Sequence, residues 1–442
     1  MSETSIKVLV IPPVLERNTD LMLKTLGAKC GPKFSFHTVK PIPRDIDGRV
    51  DYEMVTQQCR KIIIEQNISA LYANKHTASL VLAALCEEFS HLRGPSVESV
   101  FLCNHKYYTS TVVDTRKEKF PCLVHEVGGD VYDSAYMLLQ KTSRPSLIRS
   151  CLGSGHSVYY YKNRDQLIRV LERCQKDVPH IIEIQRWVLE TFVDTKKYPL
   201  ATKPVILIHP YLDRYCAIAG RTWVNVGIEA CVYNGEIIPW AVLDVVTLPH
   251  GEKEAVQSFP GCQMPTRLSQ EHQDKLWTEF KADIQNLMKY GFNNSFIHAE
   301  YVVFENGYVH LITMNARPDA ESTNIYTRAL HNGNNVEAAL QLAIGIRPAQ
   351  PTPKPGFVLD YCMVVPQSGK ADSLLRFDKA LVHPDVTLRY LPTQEISIEP
   401  AKDFAVVGYI TVAGKNFNDC LEKVKRIRTE ILKIPELVPL TC

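Results

Sequence analysis

The strongest constraint on the fold is the alternation of short apolar runs with amphipathic stretches near the N-terminus. Residues 6–11, Ile-Lys-Val-Leu-Val-Ile, predict a buried strand that is ended by two prolines. Residues 52–66 carry apolar side chains at helical spacing, residues 68–73 predict a second strand, and residues 77–89 predict a second helix. Strands that alternate with helices at this rhythm favour a parallel sheet with crossover connections.

The pattern becomes richer in strands further along the chain. Asn234-Gly235 separates two strand patterns, which is a strong hairpin signal, and Glu305-Asn306-Gly307 separates two more. Residues 269–290 predict an amphipathic helix for which Ser269 is the N-cap. The other predicted elements are strands at 145–149, 157–161, 205–208, 224–233, 237–246, 296–304 and 309–314, and helices at 164–174 and 335–344.

These patterns predict an α/β (α+β) architecture of several domains, since 442 residues are too many for one compact core. We expect an N-terminal α/β domain at 1–110, a second αβ unit at 111–204 and a strand-rich unit at 205–346. Residues 347–356 contain four prolines and predict a linker. Residues 357–442 predict a small C-terminal α+β domain with a final amphipathic helix.

Composition narrows the function classes. The chain has 50 basic and 48 acidic residues, so it lacks the charge excess typical of partners of nucleic acid or anionic membranes. No run approaches the roughly 18 apolar residues that a membrane span needs. The 13 cysteines form no CxxC pair, and the N-terminus has no signal-peptide pattern. We therefore expect reduced thiols, no zinc site and a cytoplasmic location.

One hairpin carries the most informative polar residues. Thr313, Asn315 and Arg317 alternate along a predicted strand and should share one face, and Glu300 on the partner strand could join them. A carboxylate, an amide oxygen and a guanidinium around one point would suit Mg²⁺ and phosphate. In isolation, the alternative of a solvated hairpin face stays open.

The hairpin and its flanks resemble the ATP-grasp ligases. In that family a glycine-ended helix precedes a strand ending in an acidic residue, a hairpin, and then Glu-x-Asn-x-Arg. Tyr290-Gly291-Phe292, the strand to Glu300, and Thr313-Met-Asn315-Ala-Arg317 follow this order and spacing. Thr313 departs from the pattern, because the family has its second metal carboxylate at that position.

Upstream segments resemble the nucleotide-binding part of the same family. The segment from Gly94-Pro95 to Lys106 resembles the entry into the ATP-binding lobe, whose lysine reaches the phosphates. Arg149 stands where the family has a second phosphate lysine. Next, Gly153-Ser154-Gly155-His156-Ser157 resembles the mobile glycine-rich loop, in which backbone N–H groups bind phosphate. Without this context, an exposed lysine and a plain turn remain the alternatives.

Two further segments fit the resemblance. Residues 205–212, with Ile208, His209 and Leu212, lie where the family has the strand beside the adenine, although acidic residues are usual at His209 and Pro210. A histidine on such a strand is more often packed or hydrogen bonded than catalytic. Glu229 matches an acidic position of the large lobe, and residues 356–432 resemble the closing domain of the amino-acid-ligase branch.

The resemblance implies a fold and a reaction. The expected fold is ATP-grasp, with a pre-ATP-grasp domain at 1–110, a small lobe at 111–204 and a large lobe at 205–346. The implied reaction uses ATP and Mg²⁺ to convert a small carboxylic acid to an acylphosphate, which an amine then attacks. Amino acids are candidates for both substrates, and the oligomeric state stays open, with a homodimer as one candidate.

The resemblance also implies roles for single residues. Lys106 and Arg149 would hold the nucleotide phosphates, and Glu300 and Asn315, with Thr313 at the altered position, would face the metal. Arg317 would stabilise the transferred group. Because Thr313 is neutral, a second hypothesis stays beside the ligase: a protein on the same scaffold that binds a nucleotide or metabolite without turnover.

Overall fold

A computed structural model describes most of the chain. It covers residues 5–12, 34–116, 122–128, 130–142, 146–153, 158–210, 223–246, 261–319, 322–388, 392–398 and 404–434. The sites predicted at Ser154, Gly155, Ser157 and Leu212 lie outside these described residues.

The N-terminal part forms the predicted parallel sheet. Three strands lie in the order β2-β1-β3, and both pairs run parallel. Helices follow the strands as the apolar pattern indicates, and Asp51 caps the first helix by accepting from the Met54 N–H. The elements are β1 (Ile6–Val10), β2 (Phe34–Thr38), α1 (Tyr52–Gln66), β3 (Ala70–Tyr72), α2 (His76–Glu88) and α3 (Val97–Asn104).

Two motifs that are distant in sequence pack together at the start of α3. The Ser96 hydroxyl accepts from the Ser99 N–H at 3.1 Å, and its backbone N–H donates to the Gly291 carbonyl at 3.1 Å. Gly291 has a φ of +87°, and a Cβ there would lie 2.8 Å from the Ser96 side chain. Glycine at 291 therefore fixes the approach of the N-terminal part to the hairpin that follows.

A four-stranded antiparallel sheet in the order β4-β7-β5-β6 follows the short helix α4 (Lys106–Tyr108) and a π-helical turn at Thr109–Val113. The predicted division at residue 204 stays a prediction, although the strand that begins at Val205 is hydrogen bonded within this sheet. The elements are β4 (Leu123–Glu126), α5 (Tyr132–Thr142), β5 (Ser146–Ser150), β6 (Val158–Tyr161), α6 (Arg164–Phe192) and β7 (Val205–Pro210).

Helix α6 is longer than the sequence prediction, which ended at Cys174 and was wrong about the C-terminal limit. Asn163 caps the helix by accepting from the Gln166 N–H at 2.9 Å, and the helix passes through Pro179. Proline removes one backbone donor and usually ends a helix. Here Val178 and Ile182 continue the buried face on both sides of it, so tertiary packing outweighs the local preference.

An eight-stranded sheet forms the largest part of the protein, in the order β12-β11-β8-β9-β10-β15-β19-β17. The Asn234-Gly235 turn has left-handed φ values of 47° and 85°, which confirms the predicted hairpin. The first elements are β8 (Trp223–Tyr233), β9 (Glu236–Val246), β10 (Gly261–Met264), α7 (Gln270–Met288), β11 (Ser295–Phe304), β12 (Val309–Asn315), α8 (Thr323–Ala329), β13 (Leu330–His331) and α9 (Asn335–Ala343).

The C-terminal segment continues this sheet through β15, β19 and β17. Its final helix covers the sheet with Cys420, Leu421, Val424 and Ile427 in a buried cluster. The elements are β14 (Thr352–Pro353), β15 (Phe357–Val365), β16 (Gly369–Lys370), α10 (Ala371–Leu374), α11 (Phe377–Val382), β17 (Val386–Leu388), β18 (Glu395–Ile396), β19 (Ala405–Gly414) and α12 (Phe417–Ile431).

One apolar core joins the N-terminal helices to the large sheet. Val100 and Phe101 of α3 lie in the same buried cluster as Ile297 and Ala299 of β11 and Met314 of β12. This packing holds the end of α3, and Lys106 after it, against the hairpin that carries Glu300. Within the described part, no helix is long and apolar enough to cross a membrane.

Candidate active site

The β11–β12 hairpin places polar residues side by side. Glu300 pairs with Thr313 and His298 pairs with Asn315, so these four side chains lie on one face of the sheet. The Glu300 side chain is 38% exposed, which leaves its carboxylate accessible. The expected grouping of Glu300, Thr313 and Asn315 is therefore present in the structure.

Arg317 lies in the turn after β12 and not on the strand itself. Strand β12 ends at Asn315, and the Arg317 N–H donates to the Asn315 carbonyl at 2.9 Å in a turn. Arg317 lies beyond the strand, and the prediction that it continues the strand alternation was wrong. Asp319 follows in the loop after the strand, where its carboxylate accepts from the Ser322 hydroxyl at 2.6 Å.

Lys106 lies against the start of the glycine-bearing segment. Its ammonium group donates to the Gly153 carbonyl at 2.8 Å, and its backbone N–H donates to the Cys151 carbonyl at 2.9 Å. Gly153 has a φ of +95°, which favours glycine. Burial and the neighbouring Arg149 guanidinium lower the pKa of Lys106 to about 8, against a smaller opposing effect of Glu300.

Arg149 connects the small sheet to the hairpin. One of its terminal nitrogens donates to the Ile312 carbonyl at 2.9 Å, one residue before Thr313. Burial lowers the pKa of Arg149, and the Glu300 carboxylate acts in the opposite direction. Lys106, Arg149 and Glu300, which come from three distant segments, are therefore close enough to influence one another electrostatically.

Ile208 and His209 lie on β7, the central neighbour of β4 and β5. Ile208 is fully buried, whereas His209 is partly buried and its Nδ1 lies 3.2 Å from the Pro210 carbonyl. Burial, together with the Arg149 charge, lowers the pKa of His209 well below its usual value. His209 is therefore a neutral, packed residue beside Arg149 at neutral pH.

A buried network around Glu229 supports the hairpin, and sequence reasoning recognised it only in part. Glu229 is fully buried and accepts from the Asp319 N–H at 2.8 Å and the Asn335 amide at 3.3 Å. His298 Nδ1 lies 3.2 Å from Glu229, and Nε2 lies 3.8 Å from Glu300. Burial lowers the pKa of His298, but these carboxylates outweigh that effect and raise it to about 10.

Several buried polar atoms in this region have no hydrogen-bond partner among the described residues. They are Arg149 Nε, His209 Nε2, Asn315 Oδ1 and Arg317 Nε. Buried polar atoms in native proteins are nearly always satisfied, so these atoms are available to a ligand or to water. Within the described part, no group of three His, Cys, Asp or Glu residues could hold a metal by itself. A Mg²⁺ site completed by phosphate oxygens and water fits these residues better.

Two residues near the centre were not predicted, although each left a signal. His298 precedes Glu300 by two residues, and strand alternation alone places both side chains on one face. His76 follows β3 at the carboxyl edge of the parallel sheet, where ligands of such sheets commonly bind. Its pKa is lowered by burial and by the charges of Arg317 and Lys106, so it lies near both of them.

The strand order of the sheets and the position of the β11–β12 hairpin define the fold class, and the chain has the ATP-grasp fold. Its structure is similar to that of an L-amino acid ligase from Bacillus licheniformis, with a TM-score of 0.69 and 12% identity over 99% of this chain and 100% of that one. The fold implied by the sequence resemblance is thereby confirmed.

Two complexes with nucleotides have the same fold. An N5-carboxyaminoimidazole synthetase from Staphylococcus aureus complexed with ADP matches with a TM-score of 0.63 and 12% identity, covering 97% of this chain and 99% of that one. A biotin carboxylase domain from Hydrogenobacter thermophilus in complex with MgADP and bicarbonate matches with a TM-score of 0.61 and 13% identity. The match covers 97% of this chain and 90% of that one. No protein-family model and no curated protein sequence match the chain.

Proposed function

We propose that the protein is an ATP-dependent, ADP-forming ligase that joins a small carboxylic acid to an amine through an acylphosphate. The observation that carries this proposal is that Lys106, Arg149 and Glu300 come close together beside Asn315 and the turn that holds Arg317. Buried nitrogen and oxygen atoms of Arg149, Asn315 and Arg317 lack hydrogen-bond partners within the described part of the chain. Amino acids are candidate substrates, since an L-amino acid ligase is among the structural neighbours. A cytoplasmic setting stays a prediction from the cysteine pattern.

The proposed roles follow from charge and position. Lys106 beside Gly153 and Arg149 beside Ile312 would bind the nucleotide phosphates. Glu300 and Asn315 would hold Mg²⁺, which supplies the positive charge that phosphoryl transfer requires. Arg317, on the turn after Asn315, would orient the reacting carboxyl group and stabilise the charge that develops on it.

A second candidate function is favoured by one observation. Thr313, opposite Glu300, carries a hydroxyl where a second carboxylate would complete the metal site. A protein with this change could bind nucleotide without turnover. The two functions differ in one assay: ADP release from Mg·ATP with pools of the common L-amino acids as acids and amines. If the protein is a ligase, ADP release depends on both the acid pool and the amine pool. Thermal stabilisation by Mg·ATP without ADP release supports the binding protein instead.

Lys106 provides a pH-dependent prediction. Its pKa of about 8 means that roughly half of the ammonium groups are neutral at pH 8. Bound phosphates raise that pKa, so Mg·ADP binding at pH 8 should take up about half a proton, and affinity should fall as the pH rises further. Isothermal titration calorimetry in buffers of different ionisation enthalpy measures the uptake.

The matched control for this titration is Lys106→Met, because the nucleotide's own protons are the same for both proteins. The difference in proton uptake between the wild-type protein and Lys106→Met is therefore the contribution of the Lys106 side chain. Equal uptake by the two proteins, with both binding Mg·ADP, would show that Lys106 does not face the phosphates.

A further inference from the structure

His76 is held in one orientation by Asn104 at the edge of the candidate site. The Asn104 amide nitrogen donates to the His76 carbonyl at 3.0 Å. This bond turns the Asn104 oxygen towards the imidazole, where it lies 3.2 Å from Nδ1. Asn104 is only 4% exposed and belongs to α3, so the pair is fixed by two helices that share the apolar core.

The contact with Asn104 determines which ring nitrogen carries the proton. An amide oxygen can only accept, so Nδ1 must be the N–H that donates to it. In the neutral ring, Nε2 then has an available lone pair. Among the described residues, Nε2 has no hydrogen-bond partner, and the ring is held through Nδ1.

The charges around the ring come from three elements. Arg317 follows β12, Lys106 begins α4, and Lys75 precedes α2. Burial first, and then Arg317 and Lys106, lower the pKa of His76 to about 3, which keeps the ring neutral. Arg317 and Lys106 are the residues that we propose bind the reacting acyl group and the nucleotide phosphates, respectively. Bound anions offset their charge and therefore raise the basicity of His76.

Two polar atoms on the segment that leads to His76 also lack hydrogen-bond partners among the described residues. The Tyr72 hydroxyl is buried with no hydrogen-bond partner in the described part, and Tyr72 lies near enough to Arg317 for its charge to act on the phenol. Asn74 Oδ1 is likewise buried without a partner there. These atoms lie on β3 and in the loop between β3 and α2, at the edge of the parallel sheet that carries His76, and are available to a ligand.

We propose that His76 is the general base of the amide-forming step, an inference that rests on the ligase function above. The amine binds as an ammonium ion without a lone pair, and one of its protons first passes to His76 Nε2. The neutral nitrogen then attacks the acyl carbon and forms the C–N bond. The bond from that carbon to the phosphate oxygen breaks, and inorganic phosphate leaves. The second N–H proton leaves with the phosphate, and His76 releases the first proton to water and returns to its neutral form.

The first test measures the ring directly and needs no substrate. Nitrogen-15 spectra of the whole 442-residue chain, with the His76 signal assigned by its loss in His76→Asn, report the tautomer and the pKa. A neutral ring protonated at Nδ1 is expected at pH 7, with a higher pKa after addition of Mg·ADP and inorganic phosphate. An Nε2–H tautomer, or a pKa that does not move in a protein that binds Mg·ADP, overturns the proposal.

The second test separates proton transfer from the rest of the reaction. His76→Asn keeps a donor at the position of Nδ1 and removes Nε2. With the amino acid pools, amide formation should fall about 10²-fold. Hydroxylamine attacks as a neutral nucleophile at pH 7, so hydroxamate formation from the same acids should fall less than about threefold.

The outcomes distinguish the two proposals. Equal losses with both nucleophiles, or no loss with either, refute the role of His76 and leave the ligase function intact. A wild-type protein that forms neither amide nor hydroxamate from the pools contradicts the ligase proposal and, with it, the assignment of a base. Unchanged thermal unfolding of His76→Asn verifies that the variant is folded.

Discussion

Replacement of Glu300 by Gln is expected to lower Mg²⁺-dependent ADP formation by about 10²- to 10³-fold, because it removes the charge of the only carboxylate that we assign to the metal. The substitution keeps the shape of the side chain. Glu300 is partly exposed, and its buried neighbour His298 keeps the closer contact with Glu229, so the substitution leaves no buried charge without a partner. We therefore expect the free energy of unfolding to change by less than about 1 kcal/mol. Initial rates across a Mg²⁺ titration measure the effect.

Glu305→Gln is the matched control for this prediction. Glu305 lies on the exposed turn of the same hairpin, five residues along the chain from Glu300. The substitution changes the net charge by the same amount and should leave the rate within about twofold. Equal rates in Glu300→Gln and the wild-type protein, over the whole Mg²⁺ range, would exclude Glu300 as a metal ligand and favour the binding protein without turnover.

Local sequence patterns predict the fold well where a residue type strongly favours one backbone conformation or one position in a helix. Asn234-Gly235 forms the predicted hairpin because both residues adopt left-handed backbone conformations at low cost. Ser269 caps α7 as expected, since its side chain accepts from the His272 N–H at 3.2 Å. Helix α6 differs, because its length depends on tertiary packing on both sides of Pro179, which local propensity cannot report.

The candidate site is predictable only for residues that regular spacing connects. Strand alternation and the hairpin register bring Glu300, Thr313 and Asn315 together from sequence alone. Arg317 lies beyond the strand end, and its position depends on the turn that follows Asn315. His76 reaches the site through the packing of α2 against α3, and no spacing rule connects it to the hairpin. The resemblance supplied Lys106 and Arg149, but spacing alone did not.

Thr313→Glu provides the opposite test, because it supplies the missing carboxylate. Glu300 and residue 313 are directly opposite on adjacent strands, and Thr313 is only partly buried, so a longer side chain has room. Without metal, two carboxylates at this position repel each other, and we expect a loss of up to about 1 kcal/mol in the free energy of unfolding. Mg²⁺ with ADP should reverse that loss, because the ion binds the folded protein and neutralises both charges.

The same variant should raise the rate of ADP formation by about 10²-fold at subsaturating Mg²⁺, which is the lower end of what one such electrostatic contact contributes. Thr313→Gln is its control, since it adds similar volume without charge and should produce neither the metal-dependent stabilisation nor the rate increase. Thermal unfolding with and without Mg·ADP, combined with initial rates, separates the two effects. If Thr313→Glu is less stable than wild type to the same extent with and without Mg²⁺, the two positions do not face a shared metal. If the metal restores its stability but the rate does not rise, metal binding at this position does not limit turnover.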